Sequence, residues 1–254
     1  MNADVPVTRI TAVRALRWWT GGLAFLGQAP LRLSLLPLIP LVVEIAFQLV
    51  PALGIVLSKL ATPIAVVLVY LAYDNFIQAR AVDLAKATRR LGSLGWNRLT
   101  GLASISFLVY VTQILIGYLI HGDAAIDVAV LGRAEEHREL LDSRFLLTLI
   151  LPGLIPATLL LFFGLLVGLA RQRPVVAARI SVETMLGSPA ALLVALLVTG
   201  VLAAVALLWG YGVGLLLFAV WATATGFVAY RDVFESGQPQ SSTSVVGANG
   251  GVAE

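Results

Sequence analysis

Six stretches of this sequence run for roughly 20 residues each with scarcely a charge, the length that crosses about 30 Å of hydrocarbon as a helix. They are Leu31–Leu57, Leu60–Gln78, Leu99–Ile120, Phe145–Ala170, Pro189–Leu208 and Val213–Tyr230. Inside a bilayer no water satisfies exposed backbone groups, so each crossing must be a helix or a strand of a closed barrel. The period-two alternation of a barrel strand is missing here. The expected fold is therefore all-α, a polytopic transmembrane bundle of six helices forming a single domain over residues 1–235. Composition agrees, with 59% hydrophobic and 12% charged residues and a mean hydropathy of +0.94, against about 25% charged in soluble domains.

The basic residues give the orientation. Loops facing the cytoplasm carry the excess of Lys and Arg. With the N-terminus inside, the inner segments hold Arg9, Arg14, Arg17, Arg32, Arg80, Lys86, Arg89, Arg90, Arg98, Arg171, Arg173, Arg179 and Arg231. The outer segments hold only Lys59, Arg133, Arg138 and Arg144. Both termini are thus expected in the cytoplasm, and the location implied is the inner membrane of a bacterium. This placement also accounts for a pI near 9.5 without nucleic acid, which is not expected as a partner. The first 30 residues mix Arg9, Arg14 and Arg17 into the apolar positions and do not read as a cleavable signal. Cysteine is absent, so disulfides and thiolate metal sites are excluded.

Three stretches before the outgoing spans are too polar to cross yet keep a helical apolar period: Val7–Gln28, Ala79–Arg98 and Pro174–Ser188. Such helices lie in the interface, Trp at headgroup depth and Arg toward anionic lipid. The candidate interface residues at the cytoplasmic side are Arg14, Arg17, Trp18, Trp19, Tyr73, Asp74, Tyr230, Arg231 and Asp232. Tyr230 is expected with its hydroxyl toward water, Arg231 at lipid phosphate, and Asp232 paired with Arg14, Arg17 or Arg179.

A repeat is visible in this arrangement. Gly27-Gln-Ala-Pro30 precedes the first hairpin of spans and Gly187-Ser-Pro189 the third. Those hairpins end on Tyr73-Asp-Asn-Phe76 and Tyr230-Arg-Asp-Val-Phe234, with the Asp displaced by one residue. The middle hairpin reads as a less regular copy with a longer outer loop. The tail 236–254 is Ser- and Gly-rich without a period and is expected to be disordered.

At these motifs the chain resembles a family of proteobacterial inner-membrane proteins. The likeness rests on Arg14-Ala-Leu-Arg-Trp-Trp19, on the span that begins after Ala29-Pro30, and on the closing Tyr230-Arg-Asp-Val-Phe234. That family has no established activity, so the resemblance implies location and fold without a reaction. A looser likeness is to membrane domains of tandem helical hairpins, including those attached to some glycerophosphodiester phosphodiesterases. Their catalytic domain has no counterpart in these residues.

The intramembrane polar candidates are Glu44, Gln48 and Gln113. A carboxyl in mid-span costs about 2.5 kcal/mol or more and faces the bundle interior or a wet cavity. It serves either as a proton or cation site or as a neutral hydrogen-bonding link between helices, here toward Gln113; the second use is the commoner. Pro152 and Pro156 predict a kinked fourth span, and Gly164-Leu-Leu-Val-Gly168 predicts close helix packing. Glu135, Glu136 and His137 in the outer loop lack the two-His spacing of a zinc helix, so no metal is expected there. His121 reads as an interfacial residue, and two His without Cys assemble no catalytic set. No cofactor is expected. The function expected is non-catalytic, a scaffold or accessory subunit that organises membrane lipids, a membrane-protein partner or a second copy. The rivals are a small permease coupled through Glu44 and a membrane enzyme acting on lipid.

Overall fold

The computed structural model describes residues 9–50, 53–133, 135–137 and 143–236. The expected disordered tail lies outside the described residues. Described residues form helices and turns, with no strand among them. The helices are α1 (Ala12–Gly27), α2 (Pro30–Leu35), α3 (Leu38–Gln48), α4 (Gly54–Ala79), α5 (Leu84–Gly92) and α6 (Trp96–His121). They continue as α7 (Asp123–Ala129), α8 (Ser143–Leu159), α9 (Phe163–Gly168), α10 (Pro174–Leu186) and α11 (Pro189–Tyr230).

Six segments are long and apolar enough to cross a membrane: Pro30–Gln48, Gly54–Ala79, Trp96–His121, Leu151–Gly168, Pro189–Ala206 and Val213–Glu235. The first ends nine residues earlier than the apolar run Leu31–Leu57 predicts. Val50 precedes Pro51, and a residue before proline is pushed out of the helical region. The chain reverses there, and a Cβ on Gly54 would lie 2.3 Å from the Phe47 carbonyl oxygen. Only a glycine fits so close to the opposing arm of the hairpin.

The third hairpin is closed the same way. Local hydrogen bonding is helical throughout α11, yet 42 residues in a straight helix would extend about 63 Å. A Cβ on Gly214 would lie 2.3 Å from the Ala206 carbonyl oxygen, whereas residues eight apart on a straight helix are about 12 Å apart. α11 is therefore folded back on itself, and its two arms are separate spans.

The core sits at one end of the bundle. The second half of α4 supplies Val67, Val69, Leu71, Ala72, Tyr73 and Phe76, all buried. Against it pack Phe162–Gly168 and the end of α11, with α1 laid across them. Gly164 and Gly168 face Val67 of α4, so the Gly-x-x-x-Gly pattern serves packing within the chain. Other spans are little buried by protein: only 11% of the most apolar 18 residues of α6 and 17% of Pro189–Ala206, which leaves lipid to cover them.

Two breaks within spans are sealed by side chains. Pro37 has no N–H for the Leu33 carbonyl one turn back; the Tyr73 hydroxyl donates to that carbonyl instead, at 3.2 Å. The fourth span stays helical through Pro152 and Pro156 and breaks after Leu159. There buried Ser181 of α10 donates to the Leu159 carbonyl at 2.8 Å and accepts from the Phe162 N–H at 3.1 Å.

Candidate functional site

The ends of α4, α9 and α11 and the starts of α2, α6 and α11 meet at one face, where α1, α5 and α10 also lie; most of the arginines gather there. Thr11 caps α1 by accepting from the Arg14 N–H, and Asp83 caps α5 by accepting from the Lys86 N–H. Both caps start helices whose basic residues turn back over the span ends.

Asp232 is the centre of the strongest cluster. Arg14 Nε donates to its carboxylate at 2.7 Å and Arg14 Nη2 to its backbone carbonyl at 2.6 Å. The Trp18 indole N–H, on a residue only 3% exposed, donates to the same carboxylate oxygen at 2.8 Å. Of the three arginines expected from the sequence, Arg14 is the partner. Arg179 pairs instead with Glu183 one turn on, whose hydrogen bond raises the guanidinium pKa. Deeper along α1, the Trp221 indole donates to the Trp19 carbonyl at 2.8 Å. Gly22 lies so close to Thr225 that a Cβ would meet its backbone N at 2.9 Å. The first and last helices are thus clasped along their length.

Asp74 plays the matching part in the first hairpin. Its carboxylate accepts from Arg90 of α5 at 2.7 Å, and the same Arg90 nitrogen donates to buried Asn75 at 2.9 Å. The Asn75 amide in turn donates to the Asp83 carbonyl. The displacement of the Asp by one residue has a structural counterpart. Arg231–Glu235 forms a π-type turn, closed by the Ser236 N–H on the Arg231 carbonyl, and such a turn holds one residue more than an α-turn. Asp232, which reaches α1, lies at the start of that wide turn.

A second tie repeats. Arg80 ends the first hairpin in the left-handed conformation, φ 56°, and donates to Gln28 at the α1–α2 junction. Arg171 ends the second with φ 55° and donates to Ser93 at the α5–α6 junction. The middle hairpin therefore ends as the first does at this face. Each hairpin also grips the amphipathic helix of the next: Asp74 holds α5, the broken fourth span holds Ser181 of α10, and Asp232 holds α1. The three units close into a ring.

One expectation is corrected here. Tyr230 does not turn its hydroxyl to water: it is 5% exposed, with its ring 5.3 Å from that of Phe234, because α1 covers this end of the spans. Arg231 pairs with Glu235 along the π-type turn. Phe234 meets α1 through Phe162, whose ring lies edge-on to both Phe234 and Trp18. Arg17 stands exposed on the outer side of α1, and Trp18 and Trp19 are buried on its inner side.

The intramembrane set is also rearranged. Glu44 pairs with Lys59 across the first hairpin and accepts from Gln48, so its partners lie within that hairpin rather than at Gln113. With the first span ending at Gln48, Glu44 lies one turn from the reversal rather than in mid-span. Gln113 packs on α8, where a Cβ on Gly153 would meet it at 2.0 Å. Near the same end, His121 hydrogen-bonds Thr148, and His137 binds Asp127 at 3.0 Å with Glu136 nearby.

Sequence reasoning passed over Asn75, Arg90 and Ser181 as functional positions. Ser181 gives a faint signal, a small polar residue on the apolar face of α10; Arg90 gives none beyond its charge. The arrangement defines a class, a six-span α-helical membrane protein with amphipathic helices ringed at one face. The chain matches no protein-family profile, no curated protein and no solved structure.

Proposed function

We propose that this protein is a non-catalytic scaffold of a bacterial inner membrane, with both termini cytoplasmic, which gathers anionic lipid at its arginine-rich face. The likeness to proteobacterial inner-membrane proteins supports the location, and the positive-inside bias supports the orientation. One observation carries the reading. α1, α5 and α10 are each tied inward by polar bonds and each turn apolar and basic residues outward. On α1 these are Val13, Leu16 and Leu23 beside Arg17; on α5, Leu84 beside Lys86 and Arg89; on α10, Val175 and Leu186 beside Arg179. Apolar side chains at acyl depth flanked by cations match an anionic leaflet, at about 1 kcal/mol per basic residue near the surface.

The rival readings find less support. Glu44 is bonded to Lys59 beside a hairpin reversal, a position that fastens two helices rather than relaying a proton. Asp74 and Asp232 are bonded to arginines, which leaves neither free as an acid or base at the lipid face.

The test is reconstitution into nanodiscs of phosphatidylcholine with a minor share of phosphatidylglycerol, reading lipid composition next to the protein. Enrichment of phosphatidylglycerol is expected, and the combined change Arg17→Gln, Lys86→Gln and Arg89→Gln should lower it severalfold. A bulk lipid ratio around the unaltered protein would overturn the proposal.

A further inference from the structure

The arginine-rich face holds a polar cleft of about 580 Å³ where the α5–α6 turn meets the start of α10. Gly95, Trp96, Asn97 and Arg98 form one wall, and Arg173 and Pro174 the other. Gly95 has φ +80° and ψ 155°, a conformation that glycine adopts without strain. It directs the start of α6 into the cleft with no side chain capping it. α10 starts beside it, also without a side-chain cap. The two starts adjoin, since a Cβ on Gly101 would lie 2.7 Å from the Pro174 ring. The first backbone N–H groups of a helix have no partner inside it. Those of Trp96, Asn97, Val175 and Val176 find no backbone acceptor among the described residues.

Charge in the cleft is of one sign. Arg98 Nη1 donates to the Leu94 carbonyl, while its Nε is buried with no partner. The Arg173 side chain makes no ion pair or hydrogen bond with a described residue, and no carboxylate is among the described residues lining the cleft. Trp96, 78% exposed, stands at the rim, where an indole favours headgroup depth. Planar guanidinium groups and free N–H donors at helix starts are complementary to a phosphate group.

We propose that this cleft is a phosphate-binding site. Its occupant is the phosphate of an anionic lipid headgroup or a free phosphate ion. The lipid source rests on the function proposed above; the cleft chemistry does not. Arg98 and Arg173 bind the phosphate oxygens, the starts of α6 and α10 supply N–H donors, and Trp96 covers the glycerol side.

The test uses the full chain in two arms. In the first, nanodiscs of phosphatidylcholine with phosphatidylglycerol are stripped and retained lipid is counted by native mass spectrometry. In the second, inorganic phosphate is titrated calorimetrically into protein in a nonionic detergent. Arg173→Gln should weaken binding about tenfold or more, the effect of one lost charge-assisted bond. Arg173→Lys should lie between, and Arg133→Gln, beyond α7 at the other end of the spans, should change nothing. Arg98→Gln should act like Arg173→Gln. Because Arg98 also holds the Leu94 carbonyl, Arg173→Gln alone decides the outcome if the Arg98 variant fails to fold. Retained phosphatidylglycerol that Arg173→Gln abolishes assigns the lipid source. Phosphate heat that Arg173→Gln abolishes, with no lipid retained, assigns the free ion. Equal lipid retention and equal heats in the unaltered protein and in Arg173→Gln overturn the site, even if surrounding lipid stays enriched. Loss of that enrichment alone would remove the broader function and leave the phosphate arm to judge the cleft.

Discussion

Replacing Asp232 by alanine separates two contributions that the structure puts on one carboxylate. The first is the ion pair with Arg14, in which both side chains are 32% exposed; pairs of that kind contribute about 0–1 kcal/mol. The second is the Trp18 indole N–H, which the substitution leaves buried without an acceptor. An orphaned buried donor costs about 1–3 kcal/mol. Arg14 keeps its bond to the backbone carbonyl of residue 232 in the variant, which limits the loss on that side. The expected destabilisation is thus about 2 kcal/mol, mostly from the indole. Denaturant titration in mixed micelles reads it, and a double-mutant cycle apportions it. In a Trp18→Phe background the cost of Asp232→Ala should fall to about 1 kcal/mol or less. An equal cost in both backgrounds would refute the argument, because the indole would then contribute nothing through Asp232.

Tyr73→Phe strands the Leu33 carbonyl opposite Pro37 and should cost about 1–3 kcal/mol; adding Pro37→Ala supplies a backbone N–H and should recover most of it, by the same titration. Ser181→Ala removes the acceptor of the Phe162 N–H and the donor to Leu159, and should cost about as much, with exchange of the Phe162 amide accelerated in hydrogen–deuterium measurements. Glu44→Gln should be tolerated, whereas Glu44→Lys puts two cations together and should lower thermal stability; the swap Glu44→Lys with Lys59→Glu should restore it. Reporter fusions after Arg90, Gly187 and Ser236 should read cytoplasmic and one after Glu136 external, and an external reading at Arg90 would refute the six-span orientation.

The spans were legible because hydrocarbon imposes length and apolarity on every crossing, and those are local properties. The partner of Asp232 was half legible: the sequence shows a single Asp near many arginines, but not which one α1 brings within reach. Glu44 was misplaced because an apolar run continues through a turn when both arms are apolar. The run Leu31–Leu57 gives no sign that the helix stops at Gln48 except the Pro after Val50. The bond from Tyr73 to Leu33 depends on how two spans pack, 40 residues apart, and no local pattern reports it. The phosphate cleft is similar, since Arg98 and Arg173 meet only when the second and third units are assembled. The one-residue offset of Asp232 coincides with the wide turn at Arg231–Glu235, which no local sequence pattern announces.

The clasp between α1 and the end of α11 also fixes an order of events during synthesis. Arg14 and Asp232 are 218 residues apart, so at 5–20 residues per second α1 is made roughly 10–40 s before its partner exists. For that interval the side of α1 that meets Trp221 and Thr225 has no α11 to pack against. The ring of three units can shut only when the last hairpin has entered the bilayer, so a chain truncated before Val213 would lack the sixth span and leave α1 without the arm it packs against. Completion of the fold is in this way coupled to completion of the chain.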